Sequence, residues 1–342
     1  MSDDIRETPV SLSGNIQDRF KINMPVFIVP ILAALGLVLI GDFSTWATLT
    51  LAGLAMGMMV FVMASGLTLV FGLMDVLNFG HGAFISIGAF VGATILLALG
   101  SWTGVDSLWL NLAAVGLAVV GAMAVSGALG LFFERVIVRP VYGAHLKQIL
   151  ITMGGLIVAE EVIHMIWGPN AIPLPRPLAL QGAWSIGDIV VEKYRVAAVV
   201  IGLLLFLAMR WVFNRTRLGL LIRAGVEDGE MVEALGYRIN RIFILVFVAG
   251  SALAALGGVM WGLYDEIITA QIGMNILILV FIVVIIGGLG SVEGCFIGAM
   301  LVGLMANYTG YLAPKVALGS NILLMVAVLM WRPAGLLPVS KR

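Results

Sequence analysis

The chain has 342 residues, of which 61% are hydrophobic and only 11% charged. Soluble domains carry about 25% charged residues, so this composition excludes a soluble domain. The net charge is zero and there is one cysteine, Cys295. Those two facts speak against a nucleic-acid partner and exclude intramolecular disulfides and cysteine-cluster metal sites.

The first 24 residues are polar, with Asp3, Asp4, Arg6, Glu7, Asp18, Arg19 and Lys21. They lack the apolar core and small-residue cleavage site of a signal peptide and read as a soluble arm before the first span. Ten hydrophobic segments follow, at about 25–41, 47–71, 79–99, 108–133, 147–167, 195–213, 242–263, 274–289, 292–312 and 318–332. A bilayer crossing needs roughly 20 apolar residues. The pattern predicts an all-α, polytopic integral membrane protein. Segments 2 and 3 are separated only by "GLMDVLN", and segments 8 and 9 only by "GGLGSVEG". Either pair can hold broken or re-entrant helices instead of two full crossings.

The third segment opens on "LNFGHGAFISIGAF", Leu77–Phe90. Around it lie Ser65, Thr68, Asp75, Asn78, His81 and Ser86, punctuated by glycines that include Gly66, Gly80, Gly82 and Gly88. Glycine allows close backbone approach or a helix break, and a broken helix exposes main-chain groups that bind a zwitterion. Asn78 and His81 share a face if the segment is helical. They serve either as pathway contacts or as hydrogen-bonded ties between helices. Segment 5 carries Glu160, Glu161 and His164. Ionisable groups at membrane depth are costly and are functional candidates, although these can also reach the outer surface.

The connection Gly168–Tyr194 holds Pro169, Pro173, Pro175 and Pro177 and reads as an irregular, fairly stiff external loop. The connection Asn214–Ile242 mixes arginines with Glu227, Asp228, Glu230 and Glu233. Its apolar clusters predict two short surface helices, the first ending at Gly225. The second starts at Asp228 as N-cap and ends at Gly236. Such helices cannot span, but they can present a face to a soluble partner. Further on, Glu293 in "GGLGSVEG" can cap a helix start or meet an arginine. "HGAFISIGAF" and "EGCFIGAMLV" share a Gly-x-Phe core, a faint internal repeat.

If all ten segments cross and the N-terminus is inside, 15 of the 19 Lys and Arg fall on the inner side. The positive-inside rule then favours an even crossing number with both termini cytoplasmic. No lysine follows a glycine, so there is no phosphate-cradling Gly-Lys loop. No His-Glu-x-x-His and no nucleophile elbow is present either, which disfavours an ATPase, a metalloenzyme or an intramembrane hydrolase.

Four stretches now stand together: "SGLTLVFGLMDVLNFGHGAFISIGAF", "RLGLLIRAGVEDGEMVEALGYRINRI", "VIIGGLGSVEGCFIGAMLVG" and "RPAGLLP". In this order they resemble the branched-chain amino acid class of bacterial ABC-importer permeases, over about 25–338. The resemblance implies a permease domain at 25–338, with an external loop at 168–194 and a cytoplasmic ATPase-docking loop at 214–241. It implies a location in the bacterial inner membrane. Its expected partners are a second related permease, two cytoplasmic ATPases and a periplasmic substrate-binding protein. The chain itself is expected to bind no cofactor and to catalyse nothing, with ATP used by the partner ATPases.

Glu233, Ala234 and Gly236 match the Glu-Ala-x-Gly core of the docking stretch, flanked by Arg223, Asp228 and Glu230. Gly229 and the run Val226–Asp228 depart from that pattern and blur its register. Asn78, His81 and Gly82 match the family's Asn-Phe-x-His-Gly signature. With Ser65, Thr68, Asp75, Glu160 and Glu161 they are assigned to the substrate pathway or its gate. The cargo implied is a branched-chain or other hydrophobic amino acid. Urea, short amides or aromatic acids are the alternatives for the same machinery, and a stand-alone secondary transporter or channel is the alternative of another class.

Overall fold

The computed structural model describes residues 24–227 and 229–338. The polar arm before residue 24 and Asp228 lie outside the described residues. The main helices are α1 (Ile28–Ile40), α2 (Phe43–Met74), α3 (His81–Ala98), α4 (Gly100–Thr103), α5 (Leu108–Phe133), α6 (His145–Trp167) and α7 (Lys193–Arg215). They continue with α8 (Arg217–Glu227), α9 (Gly229–Ala234), α10 (Ile239–Asp265), α11 (Ile272–Gly287), α12 (Val292–Leu312) and α13 (Pro314–Trp331). Every apolar segment read from the sequence is a helix. Among the described residues, seven helices are long and apolar enough to cross a membrane, and the helices of segments 1, 8 and 10 are shorter. The chain is a multi-pass helical membrane protein.

α2 is the central column. It is apolar all round, as a helix enclosed by others must be. Asp42 caps its start by accepting the amide of Thr45 at 2.8 Å, and Asp75 ends it in the left-handed conformation, φ 50°. α10 and α12 pack along opposite stretches of α2, and both run antiparallel to it. The α2–α12 seam depends on Gly57 and Gly303: a Cβ on Gly57 would meet the Ala299 carbonyl oxygen at 2.7 Å. In hydrocarbon such backbone contact supplies the dispersion energy that the hydrophobic effect cannot.

α8 and α9 sit at one end of the bundle, here the lower end, where α2 finishes and Asp75 lies 4.0 Å from His145. The proline-rich loop lies at the upper end, where Thr48 of α2 accepts the amide of Val190. That loop is more ordered than its prolines predict. It contains β1 (Ile172–Pro173), which pairs with β4 (Ile267–Ile268), and a hairpin of β2 (Ala183–Ile186) and β3 (Ile189–Glu192). Arg176 fastens it: its guanidinium donates to the carbonyls of Leu263 and Tyr264 at 2.8 and 2.7 Å. The same group pairs with Glu192 and Glu266, both at 3.1 Å. The cation thereby satisfies the free carbonyls at the C-terminus of α10 and complements its dipole.

Two other departures from the sequence reading have local causes. Segment 4 does not stop at Phe133 but continues through a π turn, Glu134–Val138, because no helix breaker occurs before Pro140. α8 does not stop at Gly225 but runs to Glu227. A glycine inside a helix costs about 1 kcal/mol relative to alanine and does not by itself end it. The closing "RPAGLLP" has a definite role. The amides of Leu336 and Leu337 donate to the carbonyls of Ile286 and Gly287 at 2.9 and 3.0 Å, capping the end of α11.

Candidate functional site

The first of the two short links flagged in the sequence, between segments 2 and 3, leads into a helix that begins inside the bundle, whereas the second is a turn at the lower end between α11 and α12. The amide of Phe79 donates to Thr152 Oγ1 at 3.1 Å, and Gly82 packs on Leu156. Thr152 and Leu156 lie near the middle of α6, so α3 starts at mid-height. After α2 reaches the lower end, the chain Asp75–Gly80 climbs back into the bundle without forming a helix. α11 starts at the same height: a Cβ on Gly82 would lie 3.1 Å from the Gly273 carbonyl oxygen. From this meeting point α3 runs upward, where Thr94 accepts a bond from Trp167. α11 runs downward to its contact with Gly294 at the foot of α12. Non-helical backbone at this depth is tolerated because it is enclosed by protein.

Ser86 joins the two starts. Its hydroxyl donates to the Ala270 carbonyl at 2.8 Å and accepts the Gly273 amide at 2.9 Å. His81, the first residue of α3, is 1% exposed and its Nε2 lies 2.9 Å from the Met63 carbonyl oxygen on α2. Gly66 leaves room for the imidazole, since a Cβ there would lie 3.1 Å from His81 Cε1. Asn78 is 1% exposed, and its Oδ1 has no hydrogen-bond partner.

The remaining sequence candidates separate by position. Ser65 and Thr68 are fully buried and bond to carbonyls of their own helix, Val62 and Ala64, both at 2.8 Å. Asp75 is exposed at the lower end beside His145. Glu160 is half-buried and its Oε1 has no partner. Glu161 is exposed and lies 3.8 Å from His164, whose ring meets Gln271 at 3.3 Å. Glu293, in the first turn of α12, lies 3.5 Å from Arg210.

Three features were missed in the sequence. Glu134 is a carboxylate 1% exposed in the π turn, held by a 2.7 Å bond from the Tyr142 hydroxyl. Burial and the neighbouring Glu134 push the Tyr142 phenol up. Ending segment 4 at Phe133 hid this glutamate, and the apolar run Val136–Val138 beyond it was the available signal. Arg176 is the second, and Gln271 beside His164 is the third. A cleft of about 320 Å³ opens under the proline-rich loop, lined in part by Leu96, Thr103, Leu174, Arg176 and Gln181. Arg176 spends its donors inside the protein there.

At the lower end, α9 terminates in a Schellman motif. Gly236 has φ 87°, its amide donates to Glu233 O at 2.9 Å, and the Tyr237 amide donates to Val232 O at 3.2 Å. Val232 is buried, while Met231, Glu233, Ala234 and Leu235 are exposed. The Glu-Ala-x-Gly pattern is thus an exposed helix end with a fixed stop. The side chains of Arg223 and Glu230 lie outside the described residues.

The family model described as branched-chain amino acid transport system / permease component matches residues 49–330. The chain belongs to this family. It is 30% identical over 292 residues to the high-affinity branched-chain amino acid transport system permease protein LivH of Escherichia coli, covering 83% of this chain and 93% of that one. It is 30% identical to the corresponding protein BraD of Pseudomonas aeruginosa, with the same coverage of 83% and 93%. It is also 28% identical to LivM of Escherichia coli, covering 86% of this chain and 70% of the relative. No solved structure matches. The family match spans α2 to α13 and so includes the meeting point of α3 and α11, the α8–α9 connection and the seam between α2 and α12.

Proposed function

We propose that this chain is a permease subunit of an ATP-driven importer that moves branched-chain or other hydrophobic amino acids into the cytoplasm. Family membership, with relatives named as such permeases over most of the chain, carries the reading. The chain crosses the bacterial inner membrane ten times with both termini inside. Support comes from the charge distribution: Arg135, Arg139, Lys147, Arg215, Arg217 and Arg238 lie at the lower end, which is then cytoplasmic. Two ATPase subunits dock on α8 and α9, around Arg223, Asp228, Glu230, Glu233, Ala234 and Gly236. A second related permease completes the pathway, and a periplasmic binding protein delivers cargo.

In this reading the Asp75–Gly82 connection and Glu160–Glu161 lie along the pathway or its gate, with Ser65 and Thr68 bracing the helix behind them. Motion of the docked ATPases passes through α8–α9 to α2 and α10 and rocks the subunits between outward and inward access. The cognate binding protein, screened calorimetrically against leucine, isoleucine, valine, phenylalanine and urea, tests the cargo. Tight binding of the branched-chain acids is expected. Selective binding of urea would move the cargo to the amide class while leaving the transport machinery in place.

A further inference from the structure

Three side-chain oxygens in the lower half of the bundle are buried and have no partner in the protein: Asn78 Oδ1, Glu134 Oε2 and Gln148 Oε1. Each of the three residues is 1% exposed. They come from separate segments: the Asp75–Gly80 connection, the π turn after α5 and the start of α6. Contacts nonetheless join them in a closed ring. Glu134 accepts the Tyr142 hydroxyl at 2.7 Å. The carbonyl of the preceding residue, Val141, accepts Gln148 Nε2 at 3.2 Å. The Gln148 carbonyl accepts the Thr152 hydroxyl at 2.6 Å, and that hydroxyl accepts the Phe79 amide at 3.1 Å. Asn78 adjoins Phe79. A Cβ on Gly80 would lie 3.0 Å from Asn78 Oδ1 and 2.6 Å from Phe133 Cζ. Phe133 adjoins Glu134, which closes the ring.

The ring is rich in acceptors and short of positive charge. Among the described residues, no Lys, Arg or His forms an ion pair with Glu134. Arg135 and Arg139, its basic neighbours in sequence, are exposed. Phe133 backs the ring with Phe84 and Phe247, at centroid distances of 5.5 and 6.2 Å. An unpaired carboxylate in such apolar surroundings is costly unless a positive charge meets it. A water molecule brings two donors for three acceptors and leaves the charge uncompensated. The three orphaned atoms are all oxygen, with no imidazole or thiol among them, which suits a hard cation over a transition metal. One carboxylate balances one positive charge, so a monovalent ion matches the ring better than a divalent one.

We infer that Asn78, Glu134 and Gln148 form an alkali-cation site beside the non-helical connection into α3. The ion takes Glu134 Oε2 and the two carboxamide oxygens as ligands. It thereby holds the Asp75–Gly80 connection against the π turn and the start of α6. The site accounts for a carboxylate kept inside the bundle without a basic partner. It involves neither cargo nor ATPase and does not rest on the proposed function.

The test is the thermal midpoint of the purified full chain in detergent, read by tryptophan fluorescence. Sodium chloride or potassium chloride replaces N-methylglucamine chloride at constant ionic strength, so general screening stays the same. An ion that binds only the folded state stabilises it by mass action, so a saturating rise of about 2–4 °C is expected with at least one of the two ions. Glu134→Gln should abolish the rise. Gln148→Lys brings an ammonium to Glu134 from within, so its midpoint should no longer depend on either ion. Glu293→Gln, which alters an exposed carboxylate elsewhere, should respond as the wild type does. A wild-type midpoint indifferent to both ions overturns the site. A full response in both Glu134→Gln and Gln148→Lys, or an equal loss in Glu293→Gln, overturns it as well.

Discussion

The hydroxyl of Ser86 accepts the amide of Gly273 at 2.9 Å, so one side chain on α3 satisfies a free N–H in the first turn of α11. The same hydroxyl donates to Ala270, which closes both groups at the one point where two helices start inside the bundle. Ser86→Ala leaves a buried donor and a buried acceptor without partners, at about 1–3 kcal/mol for each unsatisfied group. The expected outcome is a lower thermal midpoint for the purified protein in detergent, read by tryptophan fluorescence. An unchanged midpoint would remove Ser86 from this role.

His81 positions the start of α3 against α2 through Met63. His81→Ala is expected to lower uptake about tenfold, equivalent to about 1.4 kcal/mol in the rate-limiting barrier. Membrane abundance, read by immunoblot, should change far less. If uptake and abundance fall together, His81 is a fold element only.

Gly236 holds φ 87°, which an L side chain adopts at a cost of roughly 1–2 kcal/mol. Gly236→Val therefore frays the end of α9, and Glu233→Ala removes an exposed carboxylate from the same turn. Both variants should reach the membrane normally and show reduced ATP-coupled uptake. Normal uptake in both would end the docking assignment.

Gly57→Val forces a side chain against the α12 backbone at Ala299. Overpacking of a tight seam costs about 1–3 kcal/mol, so folded yield from membranes should drop. Gly154→Val, on an unoccupied stretch of α6, should leave the yield of the isolated subunit near wild type. Equal losses would contradict the placement of the α2–α12 seam.

Arg176→Ala releases the proline-rich loop from the C-terminus of α10. The loop should then be cut by externally added protease many times faster in spheroplasts. Unchanged protection would mean that the β1–β4 pairing alone holds it.

Much of this was readable beforehand, and the exceptions have physical reasons. The apolar segments became helices because long runs of leucine, valine and isoleucine leave no alternative in hydrocarbon. The stop at Gly236 was legible because a left-handed glycine is a local property. Depth was not legible: hydropathy gives the length of a segment, whereas the mid-height start of α3 depends on contacts with Thr152 and Leu156 far along the chain. The same limit hid Gln271, which sits in an unremarkable lead-in to segment 8 and gains meaning only beside His164 of α6. Glu134 escapes a hydropathy reading because a charged residue closes an apolar run, while a tyrosine donor eight residues later keeps the carboxylate inside.

The central claim is ATP-driven permeation through this chain. Its most direct test is uptake of radiolabelled leucine into proteoliposomes holding this chain, its permease and ATPase partners and the binding protein. Uptake should require enclosed ATP and stop when the ATPase subunits are inactivated by mutation. Undiminished accumulation without ATP, or by this chain alone, would contradict the account.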